Sequence, residues 1–201
     1  MIRMLGFALG TVLVAALAAQ TPALRKGVSV QQAVTANAVA MPDADAADSV
    51  VVAVTRDGSI YLEVTQVTPE QLSEKVKEQL AGHPGKRVYL KSDARTPYAT
   101  VAEVLGALRA AGAPATVLLT SQPPKTSAAH LPPMGLEVLL RTPAGAAAQP
   151  APALDADLQQ RARRDKSVVL QADGAAPYGD IVHAVDVCRA EGAQVFLAST
   201  K

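Results

Sequence analysis

The hydrophobic pattern of this chain occurs twice, in two stretches that lie 80 residues apart. Residues 88–113 and 168–193 align without a gap. Each stretch begins with a short apolar, partly β-branched run, continues through a polar loop opened by Asp, and reaches a Pro-Tyr pair. Apolar residues then recur at spacings of three and four until Gly112 or Gly192, as in a helix with one buried stripe. Because a second apolar run follows, the pattern predicts two strand-helix-strand units and an internal duplication.

The residues before the first copy predict a hairpin and a further helix. Two apolar runs, 50–55 and 60–62, surround a tight turn with the sequence Arg-Asp-Gly-Ser. Thr68 and Gln71 are spaced as in a capping box, in which each side chain bonds the backbone N–H of the other residue. The first unit is therefore predicted as strand, strand, helix, strand, helix, strand.

The second unit is predicted as a less complete version of the first. Residues 138–141 take the place of residues 53–56, and the Pro-rich and Ala-rich stretch 142–153 replaces the hairpin. A shorter first helix is indicated by apolar residues at spacings of four, namely Leu154, Leu158 and Ala162.

These patterns predict a fold of the α/β (α+β) class, made of two small units in which two helices pack on one face of a sheet. The chain divides into five parts: a signal peptide or transmembrane anchor (1–26), a linker (27–47), the first unit (48–121), a Pro-rich linker (122–133) and the second unit (134–201).

The N-terminal segment predicts export from the cytoplasm. Arg3 precedes an uncharged, mainly apolar stretch that extends to Leu24. Either a signal peptide is cleaved after Ala18, or residues 4–24 stay in the inner membrane as an anchor. The 18% of charged residues and the net charge of +1 argue against a nucleic-acid binder, and the single cysteine excludes an internal disulfide.

The residues that carry chemistry are few, so we expect no enzyme, no cofactor and no metal site. Three histidines and one cysteine have no zinc-binding spacing, and no nucleophile or phosphate-loop motif occurs. Cys188 lies on an apolar helix stripe, where a free cysteine packs as a small hydrophobe. The repeated loops could together form one surface that binds peptide or peptidoglycan. In the alternative interpretation each Asp caps its own loop and each Tyr ring packs under its helix. The candidate residues of this surface are Asp93, Pro97, Tyr98, Asp173, Pro177 and Tyr178.

Three runs together resemble the periplasmic domain of the ExbD/TolR family of biopolymer-transport proteins. They are VVVAVTRDGSIYL, TPEQLSEKVKEQL and RVYLKSDARTPYATVAEVLGALRAAGA. The resemblance implies a small periplasmic domain held by one N-terminal transmembrane helix. It also implies dimers that work inside a pentameric ExbB or TolQ type channel and couple the proton gradient to energy transfer across the envelope. The family uses an Asp in its transmembrane helix to carry the proton, but residues 4–24 contain no ionisable side chain.

The resemblance implies an inner-membrane protein that faces the periplasm. Because the transmembrane Asp is missing, we expect an accessory or scaffold component of a biopolymer-transport assembly that is not itself the proton carrier. An ExbB/TolQ-like channel protein is the expected partner, and the two units are expected to pair within one chain. The alternative is a soluble periplasmic module that binds peptide or peptidoglycan after signal cleavage.

Overall fold

The computed structural model describes residues 27–83, 85–122, 132–140, 147–151, 153 and 155–198. Several predictions from the sequence fall outside these residues, namely the signal or anchor segment 1–26, most of the linker 122–133, and Leu154. Among the residues that are described, no helix is both long enough and apolar enough to cross a membrane.

The described residues form a mixed sheet of ten strands with four α-helices. The strands are β1 (Val39–Ala40), β2 (Val50–Val54), β3 (Ile60–Leu62), β4 (Thr65–Gln66), β5 (Val88–Ser92), β6 (Ala115–Thr120), β7 (Met134–Leu139), β8 (Ala148–Ala151), β9 (Ser167–Ala172) and β10 (Gln194–Leu197). The helices are α1 (Pro69–Leu80), α2 (Tyr98–Ala110), α3 (Asp155–Asp165) and α4 (Tyr178–Ala190), with a short 3-10 helix at Pro42–Asp45. The strand order is β4-β3-β2-β5-β6-β7-β10-β9-β8, and β1 pairs with β7.

The first unit follows the predicted order of elements. β2 and β3 form the expected antiparallel hairpin, and Gly58 in its turn has a φ of +86° that glycine adopts without steric cost. The capping box begins α1: the Gln71 N–H donates to Thr68 Oγ1 at 3.3 Å, and the Thr68 N–H donates to Gln71 Oε1 at 3.1 Å. The short strand β4, which pairs with β3, was not predicted.

The four helices pack on one face of the sheet, as the α/β prediction requires. One continuous core joins their apolar stripes to inward-facing strand residues of both units, for example Leu90 in β5 and Leu170 in β9. On the other face of the first unit, Met41 and Ala44 cover a smaller cluster. The strand residues of that cluster are Val51, Tyr89, Val117 and Leu119.

The second unit departs from the prediction in the place of its first strand. β8 runs parallel to β9, with Ala148 opposite Val169, in the same way that β2 runs parallel to β5, with Val51 opposite Tyr89. The equivalence of 138–141 with 53–56 was therefore wrong, and 142–153 does not simply replace a hairpin, because its end supplies this strand. β7 instead lies between the units, antiparallel to β6 and parallel to β10.

The segment expected to be a linker, 27–47, packs on the body of the protein. Its residues 31–41, here called the strap, contact both units in turn. The buried residues in the segment 27–47 are Ala33, Thr35, Ala38, Met41 and Ala44.

Candidate functional site

The two repeated Pro-Tyr loops meet each other at the starts of α2 and α4. This contact, here called the junction, consists of residues 94–99 and 174–179, and Pro97 forms an antiparallel bridge with Pro177. Four backbone hydrogen bonds cross it in two reciprocal pairs. The Tyr98 N–H donates to the Ala176 carbonyl (2.8 Å) and the Tyr178 N–H to that of Thr96 (2.9 Å); the Ala99 N–H donates to the Gly174 carbonyl (2.9 Å) and the Gly179 N–H to that of Ala94 (2.8 Å).

These bonds satisfy backbone groups that a helix start leaves without a partner. The first N–H groups of an α-helix have no acceptor inside the helix, and a polar N-cap side chain usually supplies one. Pro97 and Pro177 occupy the N-cap positions of α2 and α4 and make no side-chain cap bond. The loop of the opposite unit therefore caps each helix.

Small residues allow the two backbones to approach at the junction. A Cβ added to Gly174 would lie 3.1 Å from Ala99 Cβ, and one added to Gly179 would lie 3.2 Å from both Ala94 Cβ and the Ala94 carbonyl oxygen. Ala94 and Ala99 of the first copy align with Gly174 and Gly179 of the second. Each alanine thus faces a glycine across the junction. These four residues were not predicted from the sequence, although the alignment of each alanine with a glycine in the repeat was the available signal.

The two tyrosine candidates are core residues. Tyr98 is 1% exposed and Tyr178 is 0% exposed. Burial raises the pKa of Tyr98 to about 12, and burial, followed by the proximity of Tyr98, raises the pKa of Tyr178 further above its usual value. The Tyr178 hydroxyl has no hydrogen-bond partner among the described residues. Neither tyrosine ring is accessible to a ligand in this geometry.

The two aspartate candidates cap their own loops. Asp93 is buried and accepts two bonds from the Arg95 guanidinium, at 2.8 and 2.7 Å, and one from the Arg95 N–H at 3.0 Å. The guanidinium, aided by the backbone bonds, lowers the pKa of Asp93 to about 2 against the opposing effect of burial. Asp173 is exposed and accepts the Ala175 N–H at 2.8 Å.

The structure thus places four of the six predicted site residues in the junction, with Asp93 and Asp173 directly before its two segments, but the six do not form one open surface. Only Pro97, Pro177 and Asp173 are exposed. The aspartates and tyrosines have the capping and packing contacts that the simpler reading of the sequence required. Ligand binding at this place stays a prediction.

The other reactive side chains that the structure describes do not form a second site. Cys188 is buried, and burial raises the pKa of its thiol to about 11, so it packs in the core as expected. The exposed His183 contacts Asp155, with 3.0 Å between Nε2 and Oδ1. No group of His, Cys, Asp and Glu suited to a metal ion occurs in the described part of the chain.

The basic run at the end of α3 is matched by nearby acidic groups. Arg163 makes a bidentate ion pair with Glu191, at 2.8 and 2.9 Å. Asp165 forms ion pairs with Arg161 (Nε to Oδ2, 2.6 Å) and with Arg164 (Nε to Oδ1, 3.0 Å). Exposed pairs of this kind add little stability, but they offset the positive charge that could otherwise attract an anionic polymer.

Comparison with known families decides the assignment. The profile of the family "Biopolymer transport protein ExbD/TolR" matches residues 9–123, which is more than half of the chain. The chain belongs to the ExbD/TolR family. Neither the curated proteins nor the solved structures gave a match. The match includes the first unit and β1, and ends before β7.

Membership of the ExbD/TolR family gives the broad function. The family takes part in energy transduction for biopolymer transport, works with ExbB/TolQ-type partners and is usually associated with the inner membrane. The second unit, 134–201, lies beyond the matched residues. Its descent from the same domain therefore stays a prediction from the repeat alignment.

Proposed function

We propose that this ExbD/TolR family protein is a scaffold subunit of a biopolymer-transport assembly and does not carry the proton itself. It is held at the inner membrane by residues 4–24 and presents two units to the periplasm as a fixed pair. Its partner is an ExbB/TolQ-like channel protein. The second unit takes the place of the second subunit that a dimeric relative would recruit.

The reciprocal capping at the junction is the observation that carries this proposal. A two-fold symmetric interface brings the same groups of both partners together, so that every contact occurs twice. The four backbone bonds meet this condition, because each bond turns into its mate when residue numbers are exchanged by 80. β6 is antiparallel to β7, and β10 is parallel to β7. The corresponding strands β6 and β10 therefore run in opposite directions, as a two-fold axis perpendicular to the strands requires.

The proposed loss of proton transfer is supported by the composition of residues 4–24. A proton relay in a membrane needs a group that binds and releases a proton, and these residues include no Asp, Glu, His, Lys or Arg. In this proposal the paired units keep the periplasmic part of the family's architecture. They do not supply the step that uses the proton gradient.

The test uses the full chain in a Gram-negative host that has an ExbB/TolQ-type channel but no ExbD/TolR subunit of its own. We expect the tagged chain to fractionate with the inner membrane, to co-purify with the channel protein and to leave motor-dependent uptake at the background level. An ExbD/TolR family member that has the transmembrane Asp is the matched control and should restore uptake.

Each result bears on a different part of the proposal. Restored uptake by the chain itself would contradict the loss of proton coupling. A membrane-bound chain that does not co-purify with the channel would contradict the scaffold role. A processed chain that begins near Ala19, is soluble and is pulled down by purified peptidoglycan would favour the periplasmic binding module instead.

A further inference from the structure

The strap crosses the molecule from the first unit to the second. The Gln31 carbonyl accepts the Ala94 N–H at 2.8 Å beside the junction. Further along, the Thr35 N–H donates to the Ser121 carbonyl at 2.9 Å, and the Ser121 N–H donates to the carbonyl of Ala33 at 2.9 Å. These bonds fix the strap to the ends of β5 and β6, which belong to the first unit.

The next two residues of the strap are bound by one carboxylate of the second unit. Asp186 lies within α4 and is 6% exposed. It accepts the Ala36 N–H at 3.0 Å, the Asn37 N–H at 2.9 Å and the Asn37 side-chain amide at 3.1 Å. A carboxylate withdrawn from water needs such donors, and successive backbone N–H groups are a common way to supply them.

The strap then pairs with part of one edge of β7. Val39 and Ala40, which form β1, pair with Gly135 and Met134 of β7, whereas β10 pairs with β7 only at Leu139. The strap therefore covers a part of β7 that β10 does not reach. Residues 31–41 contact the first unit, the second unit and the strand between them in a single pass.

We propose that the strap is a latch that holds residues 27–41 on the body of the protein, and that Asp186 is the group that closes it. Few apolar side chains hold the strap: Ala33, Ala38 and Met41 are its buried hydrophobic residues, and only Met41 is large. Ala36 and Asn37 are exposed, so water can accept hydrogen bonds from their N–H groups once the bonds to the Asp186 carboxylate break. Local opening of the strap thus costs less than unfolding of the sheet.

Opening of the latch changes how far the body can move from the residues that precede Gly27. Fifteen residues, 27–41, span up to about 50 Å when they are extended. While the strap is closed, this length is folded against the sheet and any pull on residue 27 is borne by the contacts of the strap. The inference does not depend on the transport role, because it concerns only contacts within the chain.

Hydrogen exchange followed by mass spectrometry on the full chain tests the latch. In the variants Asp186→Asn and Asp186→Ala we expect the amides of residues 33–40 to exchange about tenfold faster or more, since hydrogen bonds to a charged acceptor are among the stronger ones. Amides in β9 and in the β2-β5 pair should keep their protection. The matched control is Asp180→Asn, a substitution at an exposed aspartate of the same helix.

Two outcomes would overturn the proposal. Unchanged exchange in the strap of a folded Asp186→Asn protein would mean that the other contacts hold it without the carboxylate. Equally faster exchange in the strap and in β9 would mean that Asp186 supports the whole fold and is no latch. The conservative Asn37→Ala variant, which removes one of the three donors, should give an intermediate acceleration confined to the strap.

Discussion

The junction predicts opposite effects for the same substitution at two helical glycines. Gly106 lies inside α2, and a Cβ added to it meets no atom within 4 Å. Gly179 lies in the first turn of α4, where an added Cβ would be 3.2 Å from two atoms of Ala94. We expect Gly106→Ala to stabilise the protein and Gly179→Ala to destabilise it.

The magnitudes come from two competing effects. Alanine in place of a helical glycine stabilises the folded state by about 0.5–1 kcal/mol, because the unfolded chain has less freedom to lose. Extra volume in a well-packed contact costs about 1–3 kcal/mol. At Gly179 one of the close atoms is the Ala94 carbonyl oxygen, which cannot move away without weakening its 2.8 Å bond to the Gly179 N–H. The free energies of unfolding of the two variants should therefore differ by about 1–3 kcal/mol.

Urea unfolding of the full chain, followed by far-ultraviolet circular dichroism, measures this difference. The double variant Ala94→Gly with Gly179→Ala is the internal control, since it exchanges the alanine and the glycine across the contact. It should recover part of the stability that Gly179→Ala loses, and the shortfall combines the carbonyl contact that remains with the greater freedom that glycine at position 94 gives the unfolded chain. A Gly179→Ala protein that is as stable as Gly106→Ala would refute the close approach at the junction.

Two further predictions concern titration and reactivity. Because the Arg95 guanidinium holds the pKa of Asp93 at about 2, the Asp93 carboxylate stabilises the fold fully above the unfolded-state pKa of about 4 and loses this contribution as the pH falls towards 2. Thermal melts at a series of pH values should show Arg95→Ala less stable than the wild type near neutral pH, with a gap that closes towards pH 2; a gap of constant size would contradict this cause. The Cys188 thiol, whose pKa burial raises to about 11, should react with Ellman's reagent only when urea unfolds the chain, and rapid labelling of the native chain would contradict its burial.

The elements with strong local signals could be predicted from the sequence. The capping box of Thr68 and Gln71 and the turn at Gly58 depend on residues close in sequence, so their chemistry is visible without the fold. The apolar stripes of α2 and α4 are continuous for the same reason. The packing of Tyr98 and Tyr178 also follows from their place on these stripes.

The placement of β7 and β8 could not be predicted in this way. Both segments are short; β7 is mainly apolar and β8 contains a proline. A short strand of either composition can pair with several neighbours. The predicted equivalence of residues 138–141 with residues 53–56 depended on their apolar residues alone. The choice is made by tertiary contacts, because β7 pairs along its whole length with β6, whereas β8 supplies the parallel neighbour that β9 needs. The strap was missed because most of its bonds use backbone groups, which every residue has.

The alanines and glycines of the junction bear on the proposal that the two units pair within one chain. Two copies of the first unit, meeting in the same geometry, would place Ala94 against Ala99, with two Cβ atoms where the structure has room for one. Two copies of the second unit would place glycine against glycine and would leave that space empty. Only a first unit and a second unit together fill the contact without crowding it. This difference between the copies disfavours each like pair and favours a first unit with a second unit, a combination that one chain contains.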